Sequence, residues 1–163
     1  MAVLVAAYGP EARADFENAI ASALRARGIA ASTTYTTISI NQAARDKAAA
    51  LKEIGSVDAV LVVRPADRLS MSAFTISPGN SGESLQPWQN WFDYFSAKGA
   101  FAGSPAGMGG MNEIGIHAAL YEAPSGRLLW SATTVQRVSG SEGSAQAVAT
   151  GIVRRLAAAA LIK

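Results

Sequence analysis

Ile114-Gly-Ile-His-Ala-Ala-Leu120-Tyr-Glu-Ala-Pro124-Ser-Gly126-Arg-Leu-Leu129-Trp130-Ser-Ala-Thr-Thr134 reads as a hairpin. Ile114, Ile116, Ala118 and Leu120 alternate with Gly115, His117, Ala119 and Tyr121. A two-residue period sends successive side chains to opposite sides, which predicts a strand with one buried face. Pro124-Ser125-Gly126 is turn chemistry: proline presets φ and glycine accepts a positive φ. The return strand, Leu128 to Val138, is rich in β-branched residues, which suit a pleated surface.

Upstream of the hairpin the pattern alternates between strand and helix. Ala2 to Tyr8 is a continuous apolar run, as expected of a strand covered on both faces. Gly9-Pro10 breaks it, and a helix from Glu11 to Arg27 follows, with Ala12, Phe16, Ile20 and Ala23 or Leu24 as its core stripe. Gly28 suits the position just past its end. Ile29 to Tyr35 reads as a second strand. A second helix spans Gln42 to Ile54, capped by Asn41, ended by Gly55, with Ala44, Ala48, Leu51 and Ile54 inward. Val57 to Arg64 is a third, almost wholly apolar strand. A β-α-β-α-β start builds a parallel sheet with right-handed crossovers.

Arg68 to Ile76 reads as a further strand, with Leu69 and Met71 on one face. After the hairpin, a helix from Ser141 to Leu161 carries the stripe Val148, Ile152, Leu156 and Ala159 or Ala160, with Arg154 and Arg155 in water. The expected fold is therefore one α/β domain over residues 1–163. It has two or three layers and a mixed sheet: the β-α-β-α-β start is followed by antiparallel strands and a C-terminal helix, with a long aromatic insert over 77–110.

Composition narrows the function. Half of the 163 residues are hydrophobic, 16% are charged and the net charge is +2. So small an excess does not make a nucleic-acid footprint. With no cysteine there is no disulfide, thiol nucleophile or cysteine-bound zinc, and one histidine cannot supply a three-histidine zinc site. Val3 to Tyr8 is too short and lacks the basic start of a signal peptide. No apolar run approaches the ~20 residues that span a bilayer.

The insert, Ser77 to Gly110, holds six of the twelve aromatic residues and only three charges, Glu83, Asp93 and Lys98. Trp88, Trp91, Phe92 and Phe95 fall at i, i+3, i+4 and i+7, one face of a helix opened by Pro87 and closed by Gly99. Three uses fit that face. It covers the domain's own sheet, it lines a ligand pocket, or Trp88, Trp91, Phe92, Tyr94 and Phe95 form a docking patch for a partner or a second copy.

The familiar catalytic constellations are missing. The first strand-to-helix turn has no G-x-G-x-x-G, and there is no phosphate-binding G-x-x-x-x-G-K-[ST]. Gly103-Ser104-Pro-Ala-Gly107 places its serine one position too early for a nucleophile elbow. His117 sits mid-strand with no Ser or Asp near it in sequence, and reads as a structural or surface histidine. Asp58 and Asp67 flank the third strand within reach of Arg64 or Arg68, as ordinary strand-end charges. Ser139 to Ser144 precedes the last helix, but Glu142 would repel an anion there. The expectation is a non-enzymatic domain with no cofactor and no metal.

The pattern Leu120-Tyr121-Glu-(x)3-Gly126-Arg-Leu-Leu129-Trp130-Ser-Ala-Thr, after a strand like Val57 to Val62, resembles a group of small bacterial envelope lipoproteins. Their soluble domain is similar to the amino-terminal domain of the Tol translocation protein and to the penicillin-binding-protein activator lipoproteins. Arg13, Phe16-Glu17 and Leu24-Arg-Ala-Arg-Gly28 stand where that group has its first-helix signature. The resemblance implies an α/β domain on the periplasmic face of the outer membrane, tethered by a lipidated cysteine that lies outside this chain. It implies an envelope protein partner or self-association, and brings no catalytic residues. A small-ligand or lipid-binding module, with the insert as its lid, is the alternative.

Overall fold

The computed structural model describes residues 1–7, 10–39, 46–55, 57–66, 90–96, 113–123, 125–137 and 143–163. The described elements are β1 (Ala2–Val5), α1 (Pro10–Arg25), β2 (Ser32–Thr33), α2 (Lys47–Ile54), β3 (Ala59–Pro65), α3 (Trp91–Ser96), β4 (Glu113–Glu122), β5 (Leu128–Arg137) and α4 (Gly143–Ala158). They form an α/β fold around one mixed sheet in the order β2-β1-β3-β4-β5. β1 runs parallel to both β2 and β3, β4 is antiparallel to β3, and β5 is antiparallel to β4.

The apolar runs of β1 and β3 follow from burial on both faces. Val3, Val5, Leu61 and Val63 point to face one, where they meet Phe16, Ile20 and Leu24 of α1 and Val148, Ile152 and Leu156 of α4. Ala2, Leu4, Val60 and Val62 point to face two, where they meet Ala50 and Ile54 of α2 and Trp91, Phe92, Tyr94 and Phe95 of α3. The result is three layers, helices on both sides of the sheet.

The hairpin corrects one expectation. Ile116, Ala118 and Leu120 are buried on face one as predicted, but Ala119 and Tyr121 are each only 1% exposed, on face two. β4 is an inner strand between β3 and β5, so helices cover both of its faces. At the turn, Gly126 takes φ +71°, a conformation that favours glycine, and a Cβ there would press on Cβ of Asn90 at 3.1 Å. Leu120 faces Trp130 while Tyr121 faces Leu128, which leaves Leu129 as the extra residue of a bulge, 41% exposed.

The second strand is shorter than Ile29–Tyr35. Only Ser32 and Thr33 pair, because the chain turns at residues 35–37 and Ile38 N–H donates to the Thr34 carbonyl at 2.9 Å. The second helix does not run unbroken from Gln42. Asp46 is extended (φ −139°, ψ 90°), and its side chain accepts from Ala49 N–H, capping a helix that begins at Lys47. Of the described side chains of that helix, Ala50 and Ile54 are the ones buried against the sheet. Ala48 and Leu51, expected inward, are exposed. Ala44 and the Asn41 cap lie outside the described residues.

α4 ends at Ala158, so Ala159 and Ala160 are exposed and not part of its stripe, while Arg154 and Arg155 are in water as expected. The strand read over Arg68–Ile76 lies outside the described residues, apart from its flanking Ala66. So does the insert, except for residues 90–96.

Candidate functional site at the carboxyl end of the parallel strands

In open α/β sheets, function gathers beyond the carboxyl ends of the parallel strands. Among the described residues the buried charged side chains, Arg13, Glu17 and Arg64, lie there. Because β2 stops at Thr33, the Val5 N–H of β1 has lost its strand partner on that side. α1 supplies a replacement. Glu17, fully buried, accepts from Val5 N–H at 3.1 Å with Oε1 and from Thr34 N–H at 2.6 Å with Oε2. One carboxylate thus takes the place of the missing strand.

A buried carboxylate needs a counter-charge. Arg13, four residues earlier on the same helix, donates to Glu17 Oε1 through Nη2 at 2.7 Å and Nε at 3.2 Å. Its Nη2 also reaches the Thr34 hydroxyl at 3.1 Å, and that hydroxyl donates to the Val3 carbonyl at 3.1 Å. Nη1 donates to the Ile38 carbonyl. The same guanidinium lies 5.3 Å from the centre of the Phe95 ring. Arg13 therefore ties α1 to the chain after β2 and to α3.

Arg64 does the same from β3. It is 6% exposed and points to face two. Nη1 donates to the carbonyls of Tyr94 and Phe95 at 2.7 and 3.0 Å, with the guanidinium 5.4 Å from the Tyr94 ring centre. These carbonyls are at the end of α3, where cations are favoured. Across the ladder Arg64 faces His117 of β4. The Tyr94 hydroxyl and His117 Nδ1 are hydrogen-bonded, with the rings edge to face at 5.3 Å. Burial first, and then the Arg64 charge, lower the His117 pKa to about 4, so its imidazole is neutral at pH 7. Burial likewise raises the pKa of the Tyr121 hydroxyl beside Tyr94.

The aromatic face of the insert is accordingly turned inward. Trp91 and Phe95 are 0% exposed, Tyr94 6% and Phe92 9%. Of the three uses that fit this face in the sequence, the described residues show the first, covering the domain's own sheet. β1, β3 and β4 present apolar side chains on face two, and covering them removes more apolar surface from water than leaving the ring faces exposed. Trp88, the fifth candidate, lies outside the described residues. α3 begins at Trp91, after a bend at Asn90. Trp91 stacks on Phe92 at 4.0 Å, and its indole Nε1, fully buried, has no hydrogen-bond partner.

Among the described residues no three acidic, histidine or cysteine side chains gather to hold a metal, and no helix is long and apolar enough to cross a membrane. What the arrangement does is mechanical. Two arginines, one carboxylate, one threonine and a Tyr–His pair fasten helices to the sheet at one end. Periodicity assigned no role to Arg13, Glu17, Thr34 or Arg64. The available signal was Arg13 and Glu17 at i, i+4 beside the stripe of Phe16 and Ile20. The chain matches no known protein family, no curated protein and no solved structure.

Proposed function

We propose that this is a non-enzymatic binding domain of a bacterial envelope lipoprotein, tethered at the periplasmic face of the outer membrane, that binds an envelope protein partner or a second copy of itself. The observation that carries the non-enzymatic part is the use made of the buried charges: Arg13, Glu17 and Arg64 are all engaged in joining layers. Groups held this way are positioned to maintain the fold, not to meet a substrate. The envelope setting rests on the likeness of the hairpin and first helix to the lipoproteins related to the Tol amino-terminal domain.

With α3 turned inward, the partner surface falls to the hairpin. β5 is the last strand in the described sheet order, and Leu129 stands out from its bulge. A photo-crosslinking residue at Leu129 in intact cell envelopes tests this reading. The expected result is a discrete adduct with an envelope protein, or a dimer of this chain. Fractionation of the chain into the cytosol, or no adduct together with a monomeric mass at high concentration, would overturn it.

A further inference from the structure

We propose that α3 is a releasable cover, closed over face two of the sheet at neutral pH and opened when His117 takes up a proton. The cover is short. Six residues are too few to persist as a helix without support. Its support is the burial of four rings against the sheet together with a set of separate fastenings: Arg64 on the carbonyls of Tyr94 and Phe95, Arg13 over the Phe95 ring, and the Tyr94 hydroxyl on His117.

The closed state also carries two costs that opening relieves. The indole N–H of Trp91 is buried with no acceptor, and in the open state it reaches water. His117 is held in its neutral form, and in the open state it is free to ionise. The groups facing His117 among the described residues are Arg64 from β3, Tyr94 from α3 and Thr133 opposite it on β5. Of these only Arg64 is charged at neutral pH, and its charge opposes a second cation.

The hydrogen bond itself is not the sensor. A tyrosine hydroxyl can donate to a neutral Nδ1 or accept from a protonated one. The sensing lies in the cover itself: the Tyr94 ring lies against the half-buried imidazole and is lifted off it on opening, while Arg64 stays opposite His117 in both states. Protons therefore bind the open form more tightly, and the opening equilibrium shifts toward it as pH falls. The latch is a property of the domain alone and does not depend on which partner binds.

Amide hydrogen exchange of the whole chain tests it. With a closed-state pKa of about 4, and 6.5 as the upper limit for the open state, where Arg64 still faces the imidazole, protection at Tyr94, Phe95 and Ser96 should fall by up to about 30-fold between pH 7.5 and pH 5, after correction for intrinsic rates. The amides of Leu61 and Val62 in β3 should keep their protection. His117→Gln, which keeps hydrogen-bonding groups but cannot ionise, should abolish the pH dependence. If that variant does not fold, the proton titration of the only histidine decides: a midpoint near 4 supports the latch. A midpoint near 6.5, unchanged α3 protection, or a loss that coincides with that of β3 would overturn it.

Discussion

Face one of the sheet is closed by α1 and α4, sixteen residues each, and face two by α2 and α3, eight and six residues. The long helices lay three or more apolar side chains each along the sheet: Phe16, Ile20 and Leu24 from one, Val148, Ile152 and Leu156 from the other. At roughly 1.5–3 kcal/mol for each large side chain buried, such a stripe holds a helix in place by packing. α2 offers only Ala50 and Ile54. α3 offers four rings, but its backbone ends after six residues, and Arg64 takes up the Tyr94 and Phe95 carbonyls. The difference shows two ways to cover a sheet. A long amphipathic helix is held mainly by area, even where, as in α1, a buried Arg13–Glu17 joint is added, whereas a short one depends more on its directed polar contacts. Directed contacts break singly, so the second face is the one that conditions can alter.

The largest test of that contrast is at the joint between the two coverings. Glu17→Ala removes the acceptor from Val5 and Thr34 and leaves the Arg13 charge buried without its carboxylate. Breaking one side of a buried pair costs about 3–5 kcal/mol. By comparison, Ile152→Val on face one, which removes a single methyl group, should cost about 1 kcal/mol. Urea denaturation of both variants measures the ratio. Arg13→Met combined with Glu17→Leu should recover a large part of the loss, because no charge then remains buried. If Glu17→Ala costs no more than Ile152→Val, the polar joint is not what secures this end of the sheet.

How much of this was legible before folding depends on what each residue had to say locally. The strands of the parallel half and the hairpin announce themselves through runs and alternation, and Phe16, Ile20, Val148, Ile152 and Leu156 fall where the helical period puts them. β4 misled because Ala119 is small and Tyr121 amphipathic, so its second buried face did not look apolar. Asp46 misled because an aspartate inside a helical pattern reads as surface charge, whereas here its extended backbone starts the helix. The direction in which α3 faces was undecidable locally. The same i, i+3, i+4, i+7 spacing serves a core-facing helix or a docking helix, and only the unsatisfied face of β1, β3 and β4, distant in sequence, settles it. The role of Glu17 depends on a missing ladder partner at Val5, which exists only once β2 has stopped short.

Face two should also carry a pH dependence that face one lacks. The folded pKa of His117, about 4, lies below its unfolded value of 6.5. As pH falls from 6.5 toward 4, the unfolded chain binds the proton and the folded chain does not, so stability drops. Below 4 both forms are protonated and the loss levels off. Two and a half pKa units correspond to roughly 3 kcal/mol. Stability curves at pH 7, 5.5 and 4 for the wild type and His117→Gln isolate this from carboxylate titration. The wild type should lose about 3 kcal/mol more than the variant across the range. Equal losses would mean that the imidazole is solvated in the folded state.

The smallest effect sharpens the comparison within face one, where α1 and α4 end in the same way. After α1, Gly28 N–H donates to the Arg25 carbonyl at 2.9 Å and Ile29 N–H to the Leu24 carbonyl at 3.1 Å. After α4, Ala160 N–H donates to Ala157 at 2.9 Å and Leu161 N–H to Leu156 at 3.1 Å. Both are Schellman closures, which put the residue after the helix in the left-handed region. Gly28 sits there at φ +76° without strain, and Ala160 at φ +56° with it. No atom lies within 4 Å of a Cβ built on Gly28, so the cost of Gly28→Ala is conformational alone, about 1 kcal/mol. Ala160→Gly should move the other way and gain up to about 1 kcal/mol. The gain is the smaller of the two if the last turn frays in solution, since a frayed cap releases its strain without help. Urea midpoints of the two single variants, compared at unchanged slope, separate these cases: opposite signs establish that both caps are formed. No change for Ala160→Gly beside a clear loss for Gly28→Ala would mean that α4 is held by Val148, Ile152 and Leu156 alone and needs no closure.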